Sequence, residues 1–228
     1  FILSFILFII SLFILLYSAI WHIDSIKMLL SLISLFLFYF FPKIFKLSGF
    51  FRRIMYELIL TEKPDASKRI ADALADGKPI KENASGVPYY KITRGKKDIV
   101  IACAVGHLYG LSEKVKRGWA FPVFDIEWKP VSEISKKSAF SKKYLNAIKK
   151  LCKGANEFTI ATDYDVEGEV IGLNVVRYAC GQKDAARMKF STLTKPDLTE
   201  AYEKKASHLD WGQANAGETR HKLDFYNG

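Results

Sequence analysis

Residues that build disulfide frameworks and cysteine-based zinc sites are scarce in this chain. Its three cysteines, Cys103, Cys152 and Cys180, show no CxxC spacing, and each lies in an apolar stretch. That pattern argues against a zinc site and a small disulfide-stapled fold, and predicts three reduced core thiols in a cytoplasmic protein. Charge is missing altogether from residues 1–21, a run that reaches the roughly 20 residues a bilayer-crossing helix needs. No basic segment precedes that run and no small-residue cleavage site comes after it, which argues against a removable signal peptide.

A second apolar run, residues 28–41, stops at Pro42 and is short for a span by itself. Lys43, Lys46, Arg52 and Arg53 come next, and the positive-inside rule would place everything beyond them in the cytoplasm. Two readings of residues 1–54 stay open. One is a hydrophobic helical segment, a transmembrane hairpin that anchors residues 55–228 to a membrane. The other is an upstream extension of low-complexity Phe/Ile/Leu/Ser sequence, with the start of the protein at Met55. The whole chain has 228 residues and a net charge of +10, and residues 1–54 carry five Lys or Arg and one Asp, so the remainder keeps +6. That mild surplus suits a polyanionic partner without identifying one.

From Tyr56 onward, short apolar strands alternate with amphipathic helices. Residues 57–61 read as a strand, then Glu62-Lys63-Pro64 leads into a helix over 65–75 with Ile70, Ala73 and Leu74 on its apolar face. Residues 89–93 and 98–104 read as strands joined by the basic turn Arg94-Gly95-Lys96-Lys97, and Gly106-His107-Leu108 comes after the second. Residues 121–128 look strand-like, 132–143 a Ser/Lys-rich loop, and 144–153 a short helix. After the central strand and helix come a strand at 187–190, a helix over 196–207 and a polar segment, 210–228. This alternation predicts an α/β fold on a parallel sheet, with ligands at the carboxyl ends of the strands.

The densest chemistry lies at one junction. The apolar run 158–161 leads into Thr162-Asp163-Tyr164-Asp165-Val166-Glu167-Gly168-Glu169, so four carboxylates crowd a strand-to-helix turn. Asp163 and Asp165 would project to one side of an extended chain, and Glu167 and Glu169 continue into the first helical turn. Like charges this close repel unless the helix dipole or a divalent cation compensates them. Oxygen ligands with no Cys or His beside them in sequence favour a hard ion such as Mg²⁺. The competing structural reading is an acidic turn that merely complements the dipole. The strand before, the helix after and Gly168, which lets the backbone approach a ligand, favour a binding turn.

Taken together, Glu62-Lys63-Pro64, Gly106-His107-Leu108, the Asp163-x-Asp165-x-Glu167-Gly168-Glu169 turn and the segment from Arg187 to Thr194 resemble the Toprim domain of type IA DNA topoisomerases. The Glu-Lys-Pro form and the ending Ala214 to Asp224 are similar to archaeal members. The resemblance covers residues 55–228 and omits 1–54. It implies a Rossmann-like Toprim domain over 55–207 with a central, mainly parallel sheet, and the start of a further helical DNA-binding domain at 208–228. The implied activity is Mg²⁺-dependent, ATP-independent cleavage, strand passage and religation on a single-stranded DNA segment, with no nucleotide cofactor.

On the same resemblance, Glu62 handles the proton on the 3′ oxygen and Lys63 stabilises the scissile phosphate. Asp163, Asp165 and Glu167 hold Mg²⁺, Glu169 stands behind them, and His107, Arg187, Arg220 and His221 contact DNA. Read alone, His107 is as readily a structural hydrogen-bonder and Arg187 an ordinary surface charge. Val166 departs from the arginine common between the second Asp and the Glu, which leaves one phosphate contact without its residue. None of the eleven tyrosines is followed by Pro-Arg-Thr, the context of the family's nucleophile, so these residues are expected to bind metal and DNA without cleaving. Two alternatives remain: another Toprim enzyme, a primase or nuclease, and a membrane-tethered, non-catalytic metal and DNA-binding module.

Overall fold

Strand β1 (Tyr56–Thr61) lies between two parallel neighbours, which is why its Leu58, Ile59 and Leu60 are all buried and its sequence is a continuous apolar run. The computed structural model describes residues 55–115 and 123–227, so the expectations for residues 1–54 and for the first residues of the strand-like run at 121 lie outside the described residues. The sheet order is β2-β3-β4-β1-β7-β8. Here β2 is Ile80–Ala84, β3 Val87–Arg94, β4 Lys97–Cys103, β7 Ala155–Ala161 and β8 Ala186–Arg187. β4, β1, β7 and β8 run parallel, and β3 and β2 add antiparallel strands at one edge. A separate two-stranded antiparallel ribbon pairs β5 (Tyr109–Glu113) with β6 (Ile126–Pro130).

Helices cover both faces of the sheet. On one face Leu58, Leu60, Val100 and Ile160 meet helix α3 (Ser141–Cys152) through Leu145 and Ile148, and helix α4 (Val166–Asn174) through Ile171 and Leu173. On the other face Ile59, Ile99 and Ile101 meet helix α1 (Pro64–Leu74) through Ile70 and Leu74, and helix α5 (Lys195–Glu203) through Leu198 and Tyr202. This is the expected α/β architecture with a mainly parallel central sheet.

Several local expectations change. The edge strand β2 and its hairpin add to the expected elements; the Ile-Lys-Glu-Asn-Ala sequence of β2 is mostly exposed, so it lacks an apolar run, and the turn is made by Ser85 and Gly86, both at positive φ. The expected loop at 132–143 contains the short helix α2 (Val131–Ile134), a 3₁₀ turn at Lys136–Ser138 and the first turn of α3. The strand expected at 187–190 pairs only at Ala186 and Arg187. The reading of three reduced thiols is corrected: Cys152 and Cys180 form a disulfide, and Cys103 is free and buried. The end of α3 and the π-helical turn Val175–Ala179 that extends α4 pack side by side, bringing two cysteines 28 positions apart to a Cα separation of 5.2 Å.

The polar segment expected to open a further domain forms helix α6 (Trp211–Asn227), which packs on α4 within the same compact unit as the sheet. Gly217 makes the approach: a Cβ there would lie 2.2 Å from Val170 Cγ2 and 2.9 Å from Val166 Cγ1. Val166, which stands where the resembled family commonly has arginine, therefore supplies an apolar seat for α6. Among the described residues no helix is long and apolar enough to cross a membrane.

Candidate metal and phosphate site

Because β1 and β7 are parallel neighbours in register from Glu57 to Thr61, the residues that leave their carboxyl ends emerge side by side. Glu62 and Lys63 leave β1; Thr162 and Asp163 leave β7. Lys63 Nζ sits 2.5 Å from Asp163 Oδ2, an ion pair between chain segments 100 residues apart. Glu62 is close enough to feel both aspartates and Lys63. Burial first, and then the charges of Asp163 and Asp165 against the opposing pull of Lys63, push the Glu62 carboxyl above its ordinary range. A cavity of about 510 Å³ opens beside the pair, lined by Lys63, Asp163, Tyr164, Phe190 and Ser191 among others.

Asp165 is the N-cap of α4: it accepts a hydrogen bond from Gly168 N at 2.6 Å, leaving its other carboxylate oxygen without a partner in the helix. The turn folds back so tightly that a Cβ on Gly168 would lie 2.1 Å from the Asp163 carbonyl oxygen. Gly168 is therefore needed for contact of the backbone with itself, a different reason from the ligand approach that the sequence suggested. Gly168→Ala is expected to cost about 1–3 kcal/mol through this overlap and to weaken divalent-cation binding. Thermal unfolding and calorimetry check both, and an unshifted melting temperature would refute the tight turn.

Beneath the turn, Arg187 is buried with Glu169, both at 0% side-chain exposure. Its Nε donates to Glu169 Oε2 at 2.6 Å, Nη1 to the carbonyls of Thr162 (3.0 Å) and Met188 (2.9 Å), and Nη2 to the Asp163 carbonyl (2.9 Å). The second Glu169 oxygen accepts from Asp210 N at 2.7 Å. Arg187, expected to contact DNA, has no exposed surface in this structure, and its guanidinium instead holds the acidic turn in place through these partners.

Glu167 is engaged by two histidines and an arginine. Its Oε2 lies 3.1 Å from His107 Nε2 and 2.9 Å from His221 Nε2, and its Oε1 lies 3.4 Å from Arg220 Nη1. Burial alone would raise the Glu167 carboxyl, but the hydrogen bond and charge of His221, with His107 and Arg220, outweigh it and hold the group below its usual range. His107 is itself lowered, by burial first and then by His221, against the pull of Glu167. Val105, at φ 54°, and Gly106, whose N–H donates to the Glu62 carbonyl at 3.4 Å, set the direction in which His107 enters. Among the described residues His107, Glu167 and His221 are the group whose metal-ligating atoms lie within 4.8 Å of one another. The expected trio of Asp163, Asp165 and Glu167 is not gathered in that way.

The Toprim domain profile matches residues 57–193, more than half of the chain. The chain belongs to the Toprim domain family. Toprim domains bind divalent metal ions, and among the described residues His107, Glu167 and His221 are a group that could hold one. The chain is 49% identical over 176 residues to DNA topoisomerase 1 of Methanocaldococcus jannaschii, covering 77% of this chain and 23% of that protein. It is 47% identical over 171 residues to DNA topoisomerase 1 of Pyrococcus horikoshii, covering 74% of this chain and 25% of that protein. It therefore spans about a quarter of the length of these curated relatives. The Toprim match ends at Leu193, before α6, although His221 and Arg220 of that helix reach back to Glu167.

Proposed function

We propose that residues 55–228 are the Toprim part of a type IA DNA topoisomerase, a cytoplasmic isomerase that cuts one DNA strand, passes DNA through the gap and reseals it without ATP. The observation that carries this reading is the juxtaposition of Glu62 and Lys63 with Asp163 at the carboxyl ends of adjacent parallel strands. The similarity to proteins named DNA topoisomerase 1 supports the same reading.

The residues suit a hard cation. Asp163 and Asp165 offer carboxylate oxygens close enough to raise the Glu62 carboxyl, and Mg²⁺ takes one or two such ligands while keeping waters and substrate phosphate. Asp163 and Asp165 would hold it, joined by Glu167 if that side chain leaves the two histidines. When bound, Mg²⁺ supplies positive charge to the phosphate and the 3′ end. Glu62, whose carboxyl is held above its ordinary range by burial and by the neighbouring aspartates, can give a proton to the departing 3′ oxygen and take it back on religation. Lys63 stands at the cavity mouth, where its ammonium can neutralise charge developing on the scissile phosphate.

For DNA, Tyr164 is exposed and carries Lys189 Nζ 4.3 Å from its ring centroid, a combination suited to a base and its phosphate in a single strand. Arg220 is exposed on α6 and adds positive charge beside His107 and His221. None of the eleven tyrosines has the nucleophile's sequence context, so this chain is proposed to bind metal and DNA without cutting. Asp163→Asn combined with Asp165→Asn should abolish Mg²⁺ binding by the 228-residue chain in calorimetry. Unchanged affinity would remove the reading.

A further inference from the structure

The pair of histidines on Glu167 is chemistry that an all-oxygen Mg²⁺ site does not need. We propose that His107, Glu167 and His221 form a second site, which shares Glu167 with the proposed Mg²⁺ site, for a divalent transition cation of the zinc class, fastening α6 to the end of β4 and the start of α4. Imidazole nitrogen suits zinc and its neighbours in the first transition row, whereas Mg²⁺ prefers oxygen. Two imidazoles and one carboxylate, with a position left for water, are an accepted ligand set for zinc.

The geometry is close to what such an ion requires. Both Nε2 atoms converge on the same Glu167 oxygen, at 3.1 and 2.9 Å. Zinc–ligand bonds of about 2.0–2.1 Å in a tetrahedron put neighbouring donors about 3.3 Å apart. Those two donor pairs need a few tenths of an ångström of expansion, and all three donors lie within 4.8 Å of one another. The rings do not stack: their centroids are 5.1 Å apart and their planes are tilted by 59°, so the nitrogens point inward from different directions. Trp128 holds the outer side of His221, with its ring centroid 5.7 Å away in an edge contact. Each histidine is about one-third exposed, which leaves a path for the ion and for a water ligand. Arg220 approaches the other oxygen, Oε1, at 3.4 Å and is shared with Asp224, so it fixes the carboxylate without filling the place between the histidines.

An ordinary hydrogen-bonded arrangement and a metal site differ in where one proton sits. To donate to Glu167, each Nε2 must carry hydrogen; to bind the cation, each Nε2 must present its lone pair, with the proton moved to Nδ1. Occupation would also hold Glu167 away from Asp163 and Asp165, so a zinc-class cation would antagonise Mg²⁺; that consequence rests on the proposed function, while the site itself does not.

The test is calorimetric titration of the full 228-residue chain with Zn²⁺, paired with Co²⁺ titration read by visible absorption. One equivalent should bind. His107→Gln and His221→Ala should each weaken binding by about 10- to 100-fold or more, since even losses behind a metal ligand reach that range. The Asp163→Asn, Asp165→Asn double variant should weaken Zn²⁺ binding far less than either histidine variant. In the unsubstituted chain, long-range ¹H–¹⁵N spectra of the imidazoles should show both Nε2 signals moving on Zn²⁺ addition, which decides the matter if a histidine variant fails to fold. Equal Zn²⁺ affinity in both histidine variants, a thiolate charge-transfer band with Co²⁺ or unmoved Nε2 signals would overturn the site. Failure of Mg²⁺ binding with Zn²⁺ binding intact would instead remove only the topoisomerase reading.

Discussion

Arg187→Met is expected to lower the unfolding free energy of the domain by about 3–5 kcal/mol, the usual cost of stripping one partner from a buried ion pair. Glu169 would be left charged with no surface in water, and the carbonyls of Thr162, Asp163 and Met188 would lose their donors. Those carbonyls belong to the turn that carries Asp163, so divalent-cation affinity should fall along with stability. Urea unfolding measures the first effect and calorimetry the second. The double substitution Arg187→Met with Glu169→Leu should recover much of the stability, because an apolar pair of similar volume is often as stable as a buried ion pair. It should not recover the metal affinity, since the carbonyls of Thr162 and Asp163 remain without a donor. A surface phosphate ligand would behave oppositely: its loss would leave the urea midpoint unchanged and weaken DNA binding alone.

The contrast at Arg187 marks how far sequence patterns reach. β1, β4 and β7 are legible because parallel strands buried on both faces are written as apolar, β-branched runs, and the two carboxylate-bearing ends follow from strand adjacency. β2 is not, because an exposed edge strand places no apolar demand on its residues. An arginine in sequence is ambiguous between a surface cation and the centre of a buried network; only the positions of Glu169 and three carbonyls decide. The same holds for the cluster on Glu167. His107 and His221 are 60 and 54 positions from it in sequence, so no spacing rule joins them, and they meet only because Gly217 lets α6 lie against α4. Cys152 and Cys180 are a similar case, with no short-range pattern to announce their bond.

Glu57 should dominate the response of the domain to acid. It is buried inside the sheet, beneath α5, where it accepts hydrogen bonds from Tyr202 Oη at 2.6 Å and from Thr159 Oγ1, and pairs with Lys97 Nζ at 2.7 Å and with Lys205. Burial by itself would raise this carboxyl. The bonds from Lys205, Lys97, Thr159 and Tyr202 outweigh burial and hold it at about 2, below its ordinary 4.5. A depressed folded value means that the stabilisation is fully present above pH 4.5 and disappears as the pH falls toward 2. Its size is about 3 kcal/mol at neutral pH, at ~1.4 kcal/mol for each unit of depression. Glu57→Gln should therefore be less stable than the parent by about that amount at pH 7, and the gap should close as both are acidified. Urea unfolding of the two proteins at pH 7, 4 and 2.5 measures it. A gap that stayed constant across those values would mean that the lost term is packing or neutral hydrogen bonding, and that the charge of Glu57 contributes little to holding β1 against α5.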